Sequence, residues 1–258
     1  LSSPAFYIYC LVFFSLSLFF SAAGLGVFAD NTSTIASPIL LNSPLSINSF
    51  INSFVTFVYF LIPTIIGAAV YRDYSTNMHH VLFSYPLTKG SYILAKFSSA
   101  VIITVLIVGT TFLGFIAGQY LPGVREDLLG PNRLWAYMQV LLILVIPNIL
   151  LFGAIVFGLV TFTRTIYVGF VFVLLLFVFQ IVLQVFAADT DNLKHIALLD
   201  PFGDSAIGYL TQYWTIVEKN TANLPFQGVF LYNRLLWLTV TILLFSFIIY
   251  TFSFSQSA

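Results

Sequence analysis

The sequence predicts an all-α integral membrane protein with six transmembrane helices. Hydrophobic residues make up 60% of the 258 residues, against roughly 45–50% in soluble proteins. Charged residues make up only 7%, nine of each sign, which is too few to cover the water-facing surface of a globular protein of this size. This composition excludes a soluble enzyme, a nucleic-acid-binding protein and a disordered chain.

Six segments are long and apolar enough to cross a bilayer, whose core of about 30 Å requires about 20 residues of helix. None of them contains Asp, Glu, Lys, Arg or His. Helices satisfy every backbone amide within the segment, and continuous apolar runs such as 168–179 do not alternate as barrel strands do. The predicted spans are about 5–28, 50–70, 97–120, 135–162, 167–188 and 235–254.

The connecting loops predict the orientation of these spans. The loops at 71–96 and 163–166 hold four basic residues and one acid, Asp73. The longer loops at 29–49, 121–134 and 189–234 together hold five basic residues and eight acids. Basic residues concentrate in short cytoplasmic loops, so 71–96 and both termini are expected in the cytoplasm.

The first span could instead be a cleaved signal peptide, because Ser21, Ala22, Ala23 and Gly24 are small. A basic region before it is missing, and its apolar run is long for a signal, so we favour a retained span. The chain has no initiating methionine, and both ends lie close to spans. We expect a single membrane domain, 1–258, that belongs to a longer protein.

The sequence predicts no catalytic, cofactor-binding or metal-binding residue. It contains no phosphate-binding G-x-x-x-x-G-K-[ST] motif, no H-E-x-x-H and no G-x-S-x-G. The neutral polar residues of the spans include Asn148, Gln180 and Gln184. They either join helices through hydrogen bonds, which we favour, or line a pathway.

The loop after the second span, 71–96, is predicted to contain a short helix that ends before Pro86. Met78, Val81, Leu82 and Tyr85 have helical spacing and form a narrow apolar stripe. This stripe lies either on the membrane surface or against a soluble partner, and spacing alone does not distinguish the two.

The loop before the last span, 189–234, is too long for a simple connection. Its apolar stretches, 196–199 and 206–210, are separated by Asp200-Pro201-Phe202-Gly203. They either enter the outer leaflet, covered by protein, or form amphipathic surface helices.

Several stretches of the sequence resemble the type-2 ABC-transporter permeases. The stretch Tyr71-Arg72-Asp73, followed by 82–89 (LFSYPLTK) and 92–96 (YILAK), is similar to that family's coupling segment. The outer stretches 199–203 (LDPFG), 213–220 and 233–238 (NRLLWL) resemble a subgroup of bacterial proteins that fuse the permease to a zinc-aminopeptidase-like domain. An aspartate, Asp73, stands where the family more often has a glutamate.

This resemblance implies a multi-pass inner-membrane permease subunit of an ATP-driven exporter. The implied partners are an ABC ATPase subunit, which hydrolyses the ATP, and a second permease in a homodimer or mixed pair. The residues implied to couple to the ATPase are Asp73, Met78, Val81, Leu82, Tyr85 and Pro86. The alternative is a non-transporting module that anchors an attached soluble domain. An ion-driven carrier is disfavoured because the predicted spans lack titratable groups.

Overall fold

The structure, a computed structural model, describes residues 4–28, 39–76, 88–187 and 193–252. Helices dominate these ranges, which contain no β-strand. The α-helices are α1 (Pro4–Gly24), α2 (Pro44–Tyr59), α3 (Ala68–Ser75), α4 (Lys89–Gly118), α5 (Leu134–Val140), α6 (Ile146–Thr163), α7 (Tyr167–Ala187), α8 (Leu193–Leu199), α9 (Asp204–Thr211), α10 (Ile216–Thr221) and α11 (Gly228–Thr251).

Five helices are long and apolar enough to cross a membrane, and a bent pair would make a sixth. The five are α1, α4, the continuous Leu134–Thr163, α7 and α11, and the bent pair is Pro44–Tyr59 with Pro63–Asp73. The predicted all-helical fold is therefore confirmed for the described residues, which form five or six helices of membrane-spanning length and apolarity. The short helix predicted after α3 falls within 77–87, outside the described residues.

Two prolines coincide with irregular helix geometry. Proline has no backbone N–H, so the preceding turn must lose a hydrogen bond. A π-helical turn, Pro63–Gly67, begins at Pro63, and the chain bends by 43° at the break before it. A second π-helical turn, Leu141–Val145, directly precedes Pro147 in α6. Helix α6 follows α5 without a break in the span, whereas α2 and α3 point in different directions.

Helices α1 and α4 run parallel and touch closely along one half of their length. The Ser17 hydroxyl donates to the Thr111 carbonyl at 2.6 Å, and the Ser21 hydroxyl donates to the Phe115 carbonyl at 3.0 Å. A Cβ placed on Gly114 would overlap the Phe14 carbonyl oxygen. Glycine at 114 therefore permits direct contact between the two backbones.

The last long helix returns to the end of the bundle where α4 begins. The Phe252 ring, just after α11, stacks on the Tyr92 ring with centroids 5.7 Å apart. The ends of the described chain come together there, because Ala5 and Phe6 line a cavity with Lys96. Helix α6 is the central element of the core, with Phe152 and Phe157 among its buried side chains.

The helices differ from the predicted spans in where they begin. Helix α11 begins at Gly228 rather than near 235, so Arg234 belongs to the helix instead of the preceding loop. Helix α4 begins at Lys89 and includes Lys96. The side chains of Arg234 and Lys96 both have partners within the fold, and the helices therefore continue past these two residues. The loop predicted at 189–234 contains three short helices, α8, α9 and α10.

Candidate functional site

Asp73 lies at the centre of a polar cluster where α3 and α4 meet. The Tyr92 hydroxyl donates to Asp73 Oδ2 at 2.6 Å, and Lys96 Nζ lies 2.8 Å from each carboxylate oxygen. The Asp73 side chain is 9% exposed and that of Lys96 30% exposed. Lys96 Nζ also lies 5.9 Å from the centre of the Tyr92 ring. We call Asp73, Tyr92 and Lys96 the Asp73 cluster.

The Asp73 cluster joins the two helices that flank residues 77–87. Asp73 lies in the last turn of α3, and α4 begins at Lys89, where the Thr88 hydroxyl accepts from the Ser91 amide at 3.3 Å. A charged hydrogen-bonded pair of low exposure holds these ends in one geometry. The other predicted coupling residues, Met78, Val81, Leu82, Tyr85 and Pro86, lie outside the described residues.

A second polar cluster surrounds Arg234, which is 3% exposed. Its Nη1 donates to Asn148 Oδ1 at 2.9 Å, and its Nη2 donates to the Pro201 carbonyl at 3.2 Å. Its Nε and Nη2 both donate to Asn233 Oδ1, at 2.9 and 2.5 Å. The guanidinium thus finds neutral acceptors on three parts of the chain, which compensates for its removal from water.

Asn233 and Asp200 hold the backbone that wraps around Arg234. Asn233 Nδ2 lies 2.9, 2.9 and 2.7 Å from the carbonyl oxygens of Ala197, Leu198 and Asp200, and its two N–H groups are shared among these acceptors at and just after the end of α8. Asp200 Oδ1 and Oδ2 accept from the amides of Phe202 and Ser205 at 2.9 and 2.8 Å. We call Asn148, Asp200, Asn233 and Arg234 the Arg234 network.

Gly203 completes the turn between α8 and α9. Its φ of +86° is in the left-handed region, where a side chain is unfavourable. A Cβ on Gly203 would also lie 2.5 Å from Arg234 Nη2. Both the backbone conformation and the adjacent guanidinium therefore require glycine at this position.

Asp204, the first residue of α9, adds a titratable group beside the network. Burial raises the pKa of Asp204 to about 7, and the negative charge of Asp200 adds to the increase. A hydrogen bond from Asn52 Nδ2 and the positive charge of Arg234 favour the ionised form and partly offset the shift. Asp204 therefore changes charge near neutral pH.

The structure separates the three neutral polar residues expected either to join helices or to line a pathway. Asn148 is buried, and its Nδ2 donates to the Phe202 carbonyl at 2.9 Å and to the Tyr59 hydroxyl at 3.3 Å. Gln180 is half-buried and Gln184 exposed, both on α7, whose surface is mostly uncovered. Asn148 thus lies inside the Arg234 network, whereas the two glutamines lie along a different helix.

Sequence reasoning assigned Arg234 to a loop and therefore missed the buried cluster around it. The signal that was available is the pair Asn233-Arg234 directly before a long apolar run, with a second amide, Asn148, within another span. A charged residue next to a span is a candidate for burial against a partner inside the protein. Among the described residues, no group of three or more His, Cys, Asp or Glu side chains could hold a metal ion.

Comparison with known proteins does not assign this arrangement to a family. Neither protein-family models nor curated proteins match the chain.

Proposed function

We propose that this chain is the permease subunit of an ATP-driven ABC exporter in a bacterial inner membrane. It forms the translocation path with a second permease and couples to separate ATP-binding subunits. The observation that carries the proposal is the Asp73 cluster, which joins α3 to α4 on either side of residues 77–87. A coupling segment must transmit displacement to the spans attached to it. This connection meets that requirement, because a displacement of 77–87 would be transmitted to both attached spans.

Six crossings follow if the bent pair, Pro44–Tyr59 with Pro63–Asp73, counts as one span. Two contacts support this count. Helices α1 and α4 run parallel, so the chain crosses back once between them. Phe252 stacks on Tyr92, so the last helix returns to the end where α4 begins. This end carries the basic residues Arg72, Lys89 and Lys96, and we therefore assign it to the cytoplasm.

Two amide side chains on the uncovered surface of α7 support pairing with a second permease. Of its outward-facing side chains, Leu174, Ile181 and Val185 are each more than half exposed. The same helix carries Gln180 and Gln184, which are four residues apart and therefore lie on one face. Amide side chains can hydrogen bond between helices within a membrane. We place the interface between the two permeases along α7.

A non-transporting module that positions an attached soluble domain is the second candidate. The Arg234 network favours it, because buried hydrogen bonds link α6, the α8–α9 turn and α11 into one rigid unit. Transport by vesicles containing the complex, measured with and without ATP, separates the two candidates. Uptake that requires ATP supports the exporter, and its absence with every tested amphiphile favours the module.

The coupling role is tested by isolating the tagged chain from its native membrane. The exporter hypothesis predicts that an ATP-hydrolysing subunit co-purifies with it. Leu82→Asp and Tyr85→Asp place a charge in the apolar stripe and should abolish this association. Ser75→Asp, which adds the same charge at an exposed position of α3, is the matched control and should preserve it. Undiminished association of both stripe variants would refute docking through this stripe.

A further inference from the structure

The packing of α1 against α4 differs between the two ends of the bundle. At one end their backbones touch at Gly114, and Ser17 and Ser21 bond across the contact. Nearer the Asp73 cluster, a cavity of about 390 Å³ lies between them. The bent second span provides its third wall. Residues from all three elements line it, among them Phe6, Tyr9, Ile65, Ala69, Ser99 and Ile103.

The cavity changes from charged to apolar along its length. Lys96, Ser99, Ile103 and Ile107 follow one another along one face of α4, so the charge lies toward the start of the helix and the isoleucines lie deeper. The second span has the same arrangement, because Arg72 lies toward the charged end and Ile65 lies deeper. A ligand aligned with the helices would therefore meet cations at one end and hydrocarbon at the other.

Arg72 gives the charged end of the cavity its net positive charge. Lys96 is neutralised by its ion pair with Asp73. The Arg72 side chain is exposed and makes no ion pair with any residue that the structure describes. A guanidinium binds phosphate oxygens through paired hydrogen bonds, and the adjacent ammonium of Lys96 adds a second donor.

We propose that this cavity binds an anionic phospholipid, with its phosphate at Arg72 and Lys96 and an acyl chain along Ile65, Ile103 and Ile107. A basic pocket between transmembrane helices has the chemistry that anionic headgroups require. The apolar walls select a lipid over a free anion, because an inorganic phosphate would leave them uncovered. This site requires only that the helices lie in a bilayer, and it is independent of the proposed transport.

The site is tested with the full chain purified in mixed micelles. Phosphatidylglycerol and phosphatidylcholine with identical acyl chains are supplied in equal amounts, and the lipid retained per protein is measured by mass spectrometry. Preferential retention of phosphatidylglycerol is expected. Arg72→Gln should weaken its binding about fivefold, the effect of one cation at a lipid headgroup. Lys89→Gln removes an exposed cation at the same end, outside the cavity, and should retain wild-type binding.

A second pair of variants tests the apolar part of the cavity. Ser99→Phe fills the space between α1 and α4 and should reduce phosphatidylglycerol retention to the level of phosphatidylcholine. Ser98→Phe adds the same ring to a different groove of α4 and should leave the preference unchanged. Circular dichroism of each variant verifies that the helices are intact.

Three results would overturn the proposal. The first is equal retention of the two lipids by the wild-type chain. The second is an equal loss in Arg72→Gln and Lys89→Gln, which would indicate general attraction to a basic surface. The third is displacement of the lipid by inorganic phosphate at the lipid's own affinity, which would identify an anion site without a contribution from the acyl chain.

Discussion

Arg234 donates a hydrogen bond of 2.9 Å to Asn148, and this contact joins the last span to the middle of another. The remaining donors of Arg234 reach Pro201 and Asn233, so the same side chain holds the α8–α9 turn. A buried cation normally requires an acid beside it. Here neutral amide and carbonyl oxygens make the direct hydrogen bonds, and the network is correspondingly sensitive to loss of any one of them.

We expect Arg234→Met to lower the free energy of unfolding by about 3 kcal/mol, since removing one partner leaves buried oxygens of Asn148 and Asn233 unsatisfied. Thermal unfolding in detergent, followed by tryptophan fluorescence, measures this as a lower apparent Tm. Lys194→Met removes an exposed cation from the same region and should leave Tm unchanged. Equal Tm values for the two variants would show that the network does not stabilise the fold.

The raised pKa of Asp204 predicts a pH-dependent stability. Its pKa is about 7 in the folded protein against 3.8 for an unperturbed aspartate, so the folded state binds more protons between these values. Stability contributed by the protonated form is therefore lost as pH rises from about 4 to 7. We expect the loss to be on the order of 4 kcal/mol, because the two pKa values differ by about three units and each unit corresponds to about 1.4 kcal/mol.

Asp204→Asn tests this assignment, because its amide oxygen can still accept from Asn52 but does not titrate. The variant should lack this loss of stability between pH 4 and 7 and should be more stable than wild type at pH 8. Apparent Tm values from pH 4 to 8 provide the measurement. A pH profile that is the same in both proteins would assign the titration to another group.

The Asp73–Lys96 ion pair should stabilise the fold because it is partly shielded from water. Asp73→Asn removes the charge that Lys96 and Tyr92 both contact, and we expect a loss of about 1–2 kcal/mol in chemical unfolding. The exposed pair Arg125–Asp127 has a similar N–O distance, 2.7 Å. Asp127→Asn is therefore the matched control and should have no measurable effect. Equal effects of the two substitutions would contradict a stabilising role for burial.

Gly114 and Gly109 provide a direct test of the contact between α1 and α4. Both lie in α4, but a Cβ on Gly114 overlaps the Phe14 carbonyl, whereas one on Gly109 meets nothing within 4 Å. We expect Gly114→Ala to destabilise the protein by about 1–3 kcal/mol through overpacking. Gly109→Ala should be neutral or stabilising by up to about 1 kcal/mol, since alanine favours helix. Similar Tm shifts for the two variants would refute the close backbone contact.

The sequence was sufficient to predict the long apolar helices, because long apolar runs are a local property. It was not sufficient to place Arg234, since a charge next to a span is compatible with a loop or with a buried partner. The partners that keep Arg234 buried, Asn148 and Pro201, are distant from it in the sequence. The sequence shows Asn148 as a polar residue within an apolar run, but spacing does not reveal its partners.

The Asp73 cluster illustrates the same limit at the other end of the bundle. Asp73 was named from a motif, whereas Tyr92 was not among the candidate site residues. Their contact arises because the chain reverses between α3 and α4, which brings residues 19 positions apart together. Such pairings depend on how two helices approach each other and carry no periodic signal in the sequence.

The contact at Gly114 also determines how α1 and α4 can move relative to each other. The close contacts at Gly114 and Gly118, with the hydrogen bonds of Ser17 and Ser21, hold one half of α4 against α1. Lys96 lies about 27 Å along α4 from Gly114, at 1.5 Å per residue. A rotation of about 5° about this contact would therefore displace the Lys96 end by about 2 Å. The space beside Lys96 can thus change in width while the contact at Gly114 stays in place.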